Sequence, residues 1–170
     1  MTSEQKHTIS VLVRNEAGVL SRVVGLFSGR GFNIESLTVA PTLDTDFSRI
    51  TIVSKGQTGI IEQITKQLNR LIPTLKVLEV TEDDSVSNEL ILVKVTARDE
   101  FRSEILRIAE IFNAKIIDVS PKTYTLMAVG EERQITALIE LFRDLGIKEL
   151  VRSGKVAISR ENSFMNIKNI

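Results

Sequence analysis

The stretch TISVLVRNEAGVLSRVVGLF, Thr8 to Phe27, changes its hydrophobic period halfway along. In its first seven residues apolar and polar side chains alternate, which is the pattern of a half-buried strand. From Val19 onward apolar residues recur every three or four positions, which predicts a helix over about Val19–Ser28. A polar turn with a glycine, Gly18, separates the two patterns. The stretch therefore predicts a strand, a turn and a helix in succession.

Residues 28–80 extend this unit. FNIESLTVAP (32–41) and SRITIVSKG (48–56) are predicted strands, and a shift in the apolar phase of the first indicates a bulge or bend. Apolar residues at helical spacing from Ile60 to Ile72 predict a second helix, which we expect Pro73 to stop. LKVLEV (75–80) is a fourth strand. The order strand-helix-strand-strand-helix-strand is the split βαβ pattern.

The second half of the chain repeats the order. A strand in ELILVKVTA (89–97) precedes a helix whose expected cap is Asp99. KIIDVSP (115–121) and TYTLMAVG (123–130) are strands joined at Pro121-Lys122, and a second helix is expected to end at Gly146. KELVRSGKVAIS (148–159) supplies a last strand or a short hairpin.

The predicted fold class is α+β, with two ferredoxin-like βαββαβ modules. We place the first module at residues 1–81, a linker at 82–88 and the second module at 89–170, with disorder expected after residue 160. Each sheet has one helical face, so its other face or its edges need cover, and dimerisation would provide it.

Composition excludes several classes of function. Lys+Arg and Asp+Glu both number 22, cysteine is absent, and the single histidine, His7, is expected to be an idle surface residue beside a frayed N-terminus. We therefore expect no catalytic constellation and no metal site. The balanced charge argues against nucleic acid, and strands 8–14 and 48–56 carry no aromatic residue on which RNA bases could stack. No segment is long enough to span a membrane and the N-terminus lacks a signal peptide, so we expect a cytoplasmic protein.

The glycines indicate where a ligand could bind. GRGFN (29–33) follows a helix and precedes a strand, so it is a helix end and tight turn rather than a phosphate loop. Gly18 instead lies between a strand and a helix start, where exposed amides suit a carboxylate. Asn15 and Asn33 could add amide side chains. An ordinary turn remains the alternative, because glycine is tolerated at helix caps and asparagine is common in turns.

The sequence resembles a known family over nearly its whole length. NEAGVLSRVVGLFSGRGFNIESLTVAPT (15–42), followed by SRITIV, is similar to the N-terminal ACT domain of acetolactate synthase (acetohydroxyacid synthase) small regulatory subunits. EIFNAKIIDVSPKTYTLMAVG (110–130) and RSGKVAISR (152–160) resemble the C-terminal domain of that family.

The resemblance implies a non-catalytic partner of a large catalytic subunit. It implies activation of that subunit and feedback inhibition by valine, with isoleucine or leucine effective in some members, and a homodimer formed through ACT domains. Thiamine diphosphate, Mg and any FAD would belong to the catalytic subunit. In a eukaryotic source the location would be an organelle stroma.

The resemblance also implies roles for individual residues. Asn15 and Asn33 would hold the polar groups of the amino acid, Gly18 would make room for it and Ile34 would line its aliphatic end. Val19 and Leu20, the first residues of the helix, complete the expected effector site. An ACT-type amino-acid sensor serving a different enzyme or a transcriptional system is the alternative.

Overall fold

A computed structural model describes residues 5–160 of the 170-residue chain. The strands are β1 Gln5–Arg14, β2 Ile34–Pro41, β3 Phe47–Gly56, β4 Thr74–Val80, β5 Ser85–Thr96, β6 Lys115–Val119, β7 Thr123–Gly130, β8 Ile147–Arg152 and β9 Val156–Ser159. The helices are α1 Val19–Ser28, α2 Thr58–Leu68, α3 Arg102–Ile111 and α4 Glu132–Leu145, with one 3₁₀ turn at Asp99–Phe101.

The chain divides into two compact units, each built on an antiparallel sheet. The first contains the described residues up to Val86 and from Lys155, and the second contains Ser87–Gly154. The strand orders are β2-β3-β1-β4 in the first sheet and β6-β7-β5-β8 in the second, where β9 also pairs with β5. The predicted α+β fold with two βαββαβ modules is confirmed.

Each unit has its own apolar core between its sheet and its two helices. In the first unit, Ile9 and Val11 of β1 pack with Phe27 of α1 and Ile64 of α2, all fully buried. The second core is built in the same way from β5, β7, α3 and α4, and it includes the fully buried Phe142. The apolar residues whose spacing predicts these strands and helices are therefore the residues that face the two cores.

The first sheet is buried on both faces, whereas the sequence predicts a half-buried β1. Ser10 and Leu12, which alternate with the core residues of β1, are also buried. The segment that begins at Lys155 is hydrogen-bonded to β2 of this sheet. The Thr38 hydroxyl donates to the carbonyl oxygen of Lys155 at 3.2 Å, and the Lys155 amide donates to the Ser36 hydroxyl at 3.4 Å.

Several predicted boundaries are wrong. Helix α2 ends at Leu68, before Pro73, and Ile72 is 95% exposed, because the apolar periodicity continues into a turn. Asp99 does not cap α3: its carboxylate pairs with Arg102 at 3.1 Å, and the 3₁₀ turn precedes the helix.

The remaining predictions concern the end of α4, the last strands, the linker and the tail. Gly146 ends α4 with φ +93°, as predicted. β8 and β9 both pair with β5, so residues 148–159 form two strands of that sheet. Strand β5 begins at Ser85, inside the expected linker 82–88. The expected disordered tail lies outside the described residues.

Candidate functional site

The turn after β1 is fixed by the loop that precedes β3. The Asn15 amide donates to the carbonyl oxygen of Asp46 at 2.7 Å, and the Asn15 side-chain Nδ2 donates to the carbonyl oxygen of Thr45 at 2.9 Å. Gly18 then adopts φ +80°, a left-handed conformation that L side chains rarely take. Asn15 therefore has a structural role in the turn, and its side-chain oxygen remains able to accept a hydrogen bond from a ligand.

The start of α1 is open to an anion. Gly18 supplies no side-chain cap, and the first turn of the helix carries no acidic residue. A Cβ placed on Gly18 would meet no atom within 4 Å. Val19 is buried in the core while Leu20 is 39% exposed, so the uncapped amides lie beside an accessible apolar side chain. The Val19 amide already donates to the carbonyl oxygen of Glu16 at 3.4 Å. The next amides of the first turn stay open, and free amides at the positive end of a helix favour a carboxylate.

Asn33 and Ile34 lie where β2 begins. The backbone carbonyl of Asn33 accepts a hydrogen bond from the Ser54 hydroxyl at 2.8 Å, and Ser54 is fully buried. The Asn33 side chain is exposed and has no hydrogen-bond partner among the described residues. Ile34 is partly buried against the core. The backbone is therefore held while the Asn33 amide group stays free to bind.

A bulge follows directly after Ile34. The register of β2 with β3 shifts between Ile34 and Ser36, which confirms the predicted irregularity and leaves Glu35 as the extra residue. The Glu35 carboxylate lies 2.8 Å from the Lys55 ammonium and 3.2 Å from that of Lys6. The hydrogen bond from Lys55 is the main cause of a lowered pKa for Glu35, opposed by desolvation and supported by Lys6. The two lysines thus hold the bulge beside Asn33.

The two halves of the expected site lie far apart within one chain. Ile34 and His7 both pair with Ser54, whereas the other end of β1 pairs Arg14 with Phe47. Ile34 is therefore level with His7, eight positions along β1 from Asn15. At about 3.3 Å per residue the separation is roughly 25 Å. The structure brings Asn15, Gly18, Val19 and Leu20 together at one end of the sheet, and Asn33 and Ile34 together at the other.

His7 is not the idle surface residue that its sequence position suggests. It lies within β1, is 8% exposed, and its Nδ1 is 2.7 Å from Oε1 of Glu79. Its Nε2 is buried without a partner among the described residues. The expectation failed because β1 starts at Gln5, which brings His7 into the sheet.

Comparisons with known proteins identify the family. The family described as "AHAS small subunit-like ACT domain" matches residues 9–76, and "Small subunit of acetolactate synthase" matches residues 88–161. The probable acetolactate synthase small subunit of Archaeoglobus fulgidus is 54% identical over 157 residues, which cover 92% of this chain and 98% of that relative. The chain belongs to the acetolactate synthase small-subunit family.

Further relatives match this chain along nearly its whole length. The acetolactate synthase small subunit of Aquifex aeolicus is 50% identical over 166 residues, covering 97% of this chain and 86% of that one. The crystal structure of the Thermotoga maritima small subunit superposes with a TM-score of 0.86 at 37% identity, covering 94% and 99% of the two chains. The expected family and the expected non-catalytic role are thereby confirmed. Membership of this family favours acetolactate synthase over the alternative of a sensor for another system.

No group of three or more His, Cys, Asp or Glu side chains between residues 5 and 160 could hold a metal ion. Over the same range, no helix is both long and apolar enough to cross a membrane.

Two residues that shape the candidate site were not predicted from the sequence. Ser54 holds the Asn33 carbonyl, and Glu35 is anchored by two lysines. The phase shift in β2 indicates the bulge, but nothing in the sequence around Ser54, near the end of β3, indicates its hydrogen bond.

Proposed function

We propose that this chain is the regulatory subunit of an acetolactate synthase, which activates the thiamine-diphosphate-dependent catalytic subunit and confers feedback inhibition by valine or another branched-chain amino acid. The observation that carries the proposal is the uncapped helix start at Gly18 in a chain of this family. An α-carboxylate fits the free amides there. The thiamine diphosphate, Mg and any FAD belong to the catalytic subunit in this proposal, and this chain binds none of them.

The effector site is proposed to form between two copies of the chain. Within one copy the glycine turn and Asn33 are roughly 25 Å apart, too far to contact one small amino acid. Strand β2 ends the strand order, and among the described residues it pairs only with β3. Antiparallel pairing of two β2 edges reverses the ends of the sheet. Asn33 and Ile34 of one copy then approach the glycine turn of the other.

Each group then has a defined task. The amides of α1 bind the carboxylate, and the side-chain oxygens of Asn15 and Asn33 accept hydrogen bonds from the ammonium group. Ile34 contacts the aliphatic side chain of the effector. Apolar pockets separate ligands that differ by one methylene by only about 1–3 kcal/mol, so leucine or isoleucine should inhibit partially beside a stronger valine effect.

Reconstitution with the catalytic subunit tests the proposal. Acetolactate formation from pyruvate is measured with the catalytic subunit alone, with this chain added, and across titrations of valine, leucine and isoleucine. We expect stimulation by the chain, inhibition by valine only when the chain is present, and no turnover by the chain with thiamine diphosphate and Mg. Absence of stimulation, or acetolactate formation by the chain alone, contradicts the proposal.

A further inference from the structure

The second unit has a cavity of about 480 Å³ where β5 leads into the 3₁₀ turn and α3. Four cationic side chains line it, from four separate segments: Arg98 after β5, Arg102 of α3, Lys122 between β6 and β7, and Lys148 of β8. The only carboxylate in the lining is that of Asp99. In a chain with 22 basic and 22 acidic residues, this is a strong local excess of positive charge.

Backbone and guanidinium hydrogen bonds fix the walls of the cavity. The Arg102 Nε donates to the carbonyl oxygen of Ala97 at 3.4 Å, and its NH2 group donates to that of Pro121 at 3.0 Å. The Ala97 amide donates to the carbonyl oxygen of Lys122 at 2.8 Å. The turn that carries Lys122 is therefore tied to the end of β5, and the cavity is formed before any ligand binds.

Two of the four cations are already neutralised. The Arg102 guanidinium lies 3.1 Å from the Asp99 carboxylate, and that of Arg98 lies 3.7 Å from Glu100. Lys122 and Lys148 are exposed, and neither forms an ion pair with any described carboxylate. Two positive charges therefore remain for a ligand.

We propose that this cavity binds a phosphate-bearing small molecule, whose phosphate oxygens contact the Lys122 and Lys148 ammonium groups. Its volume lies within the range of about 300–1,000 Å³ typical of small-molecule sites. An ammonium group binds phosphate oxygens as a point charge, and two of them suit a multiply charged anion. The position within the module, a strand-to-helix turn, is the same as that of the glycine turn in the first unit. This proposal does not depend on the valine site.

Calorimetric titration of the full chain with sodium pyrophosphate tests it. We expect binding that weakens as salt rises, because exposed charges are screened. Lys122→Gln and Lys148→Gln keep most of each exposed stem and remove one charge, so each should weaken binding about ten-fold, as expected for one charge-assisted contact. Lys115→Gln, which removes an exposed lysine at the far end of β6, is the matched control and should leave the affinity unchanged.

Three results overturn the proposal. The first is no pyrophosphate binding at millimolar concentration. The second is equal weakening by the Lys115 variant, since that would reflect only overall charge. The third is a pair of results: the wild-type chain does not bind pyrophosphate, and the Lys122 and Lys148 variants do not bind the catalytic subunit. In that case the two lysines would contact an acidic protein surface instead of a phosphate. Inhibition by valine should be intact in all three variants.

Discussion

Gly18 combines open space with a backbone conformation that restricts substitution. A Cβ there meets no neighbouring atom, but φ is +80°, so most side chains would be strained. Asparagine and aspartate tolerate this conformation better than other residues, and they have nearly the same shape. Gly18→Asn therefore fills the space without charge, and Gly18→Asp adds a carboxylate that repels that of the effector.

We expect valine inhibition to be more than about ten-fold weaker in Gly18→Asp than in Gly18→Asn, because only the aspartate repels the ligand. Both variants should still stimulate the catalytic subunit, since Gly18 lies outside the core. The measurement is catalytic-subunit activity across a valine titration. Equal sensitivity of both variants and the wild type would place the effector elsewhere.

In Asn33 the side chain is proposed to contact the ligand, whereas the backbone carbonyl makes a structural hydrogen bond. Its backbone carbonyl is held by Ser54, whereas its exposed side chain has no partner among the described residues. Asn33→Ala should remove a bond to a charged ligand, which contributes about 1.5–3 kcal/mol, or roughly ten- to one-hundred-fold in the valine concentration needed for inhibition. The thermal midpoint should change little. Gln63→Ala, at an exposed position of α2, is the control and should leave inhibition unchanged.

Glu35 makes a pH-dependent contribution to stability. Its pKa is lowered mainly by the Lys55 hydrogen bond, so the stabilisation is present above the ordinary pKa of a glutamate and is lost as pH falls through the lowered value. Glu35→Gln should reduce the free energy of unfolding at neutral pH by about 1 kcal/mol or less, because both lysines are largely exposed. Urea unfolding of the variant and the wild type should converge in acid. A gap that persists or widens at low pH would contradict this assignment, and Glu62→Gln on α2 serves as the control.

The helices and strands that the sequence predicts best are those whose periodic apolar residues pack into the core. Helix α1 and the bulge in β2 follow from patterns within ten residues. The hydrophobic pattern predicts an α2 that is too long, because Leu71 packs against the core from a turn rather than from the helix. The burial of Ser10 and Leu12 could not be predicted, because the alternation in β1 does not show whether the sheet face turned away from the helices is covered.

The exposed edge of β2 is the element on which the proposed dimer depends. Val39 lies on this strand and is 46% exposed. A lysine on an edge strand opposes pairing with another edge, so Val39→Lys should shift the chain toward monomer and abolish valine inhibition. Ile72→Lys likewise replaces a β-branched apolar residue with lysine, at a turn position that is 95% exposed, and this variant should remain dimeric. Light scattering after gel filtration measures the mass, and an unchanged mass for Val39→Lys would exclude this edge as the interface.

The sequence predicts candidate residues for an effector site, but it does not predict how the whole fold arranges them. Asn15 and Asn33 are only eighteen positions apart in the chain, yet helix α1 carries the chain back to the opposite end of the sheet. The distance follows from the strand register, which the hydrophobic pattern does not determine. A ligand pocket made of these residues therefore requires a second copy.

Valine binding and dimerisation should consequently be linked. A ligand that binds only the folded dimer stabilises it by about 2.7 kcal/mol per site at one hundred times its dissociation constant. Thermal unfolding of the wild-type chain should shift upward with L-valine and not with D-valine, whose carboxylate, ammonium and side chain cannot all match the same contacts. Val39→Lys should show a much smaller upward shift with L-valine. When dimerisation and valine binding are linked, a change that weakens dimerisation must also weaken valine binding. Equal shifts in both proteins would mean that one copy holds the whole site, and no shift with valine, leucine or isoleucine would count against an effector site on this chain.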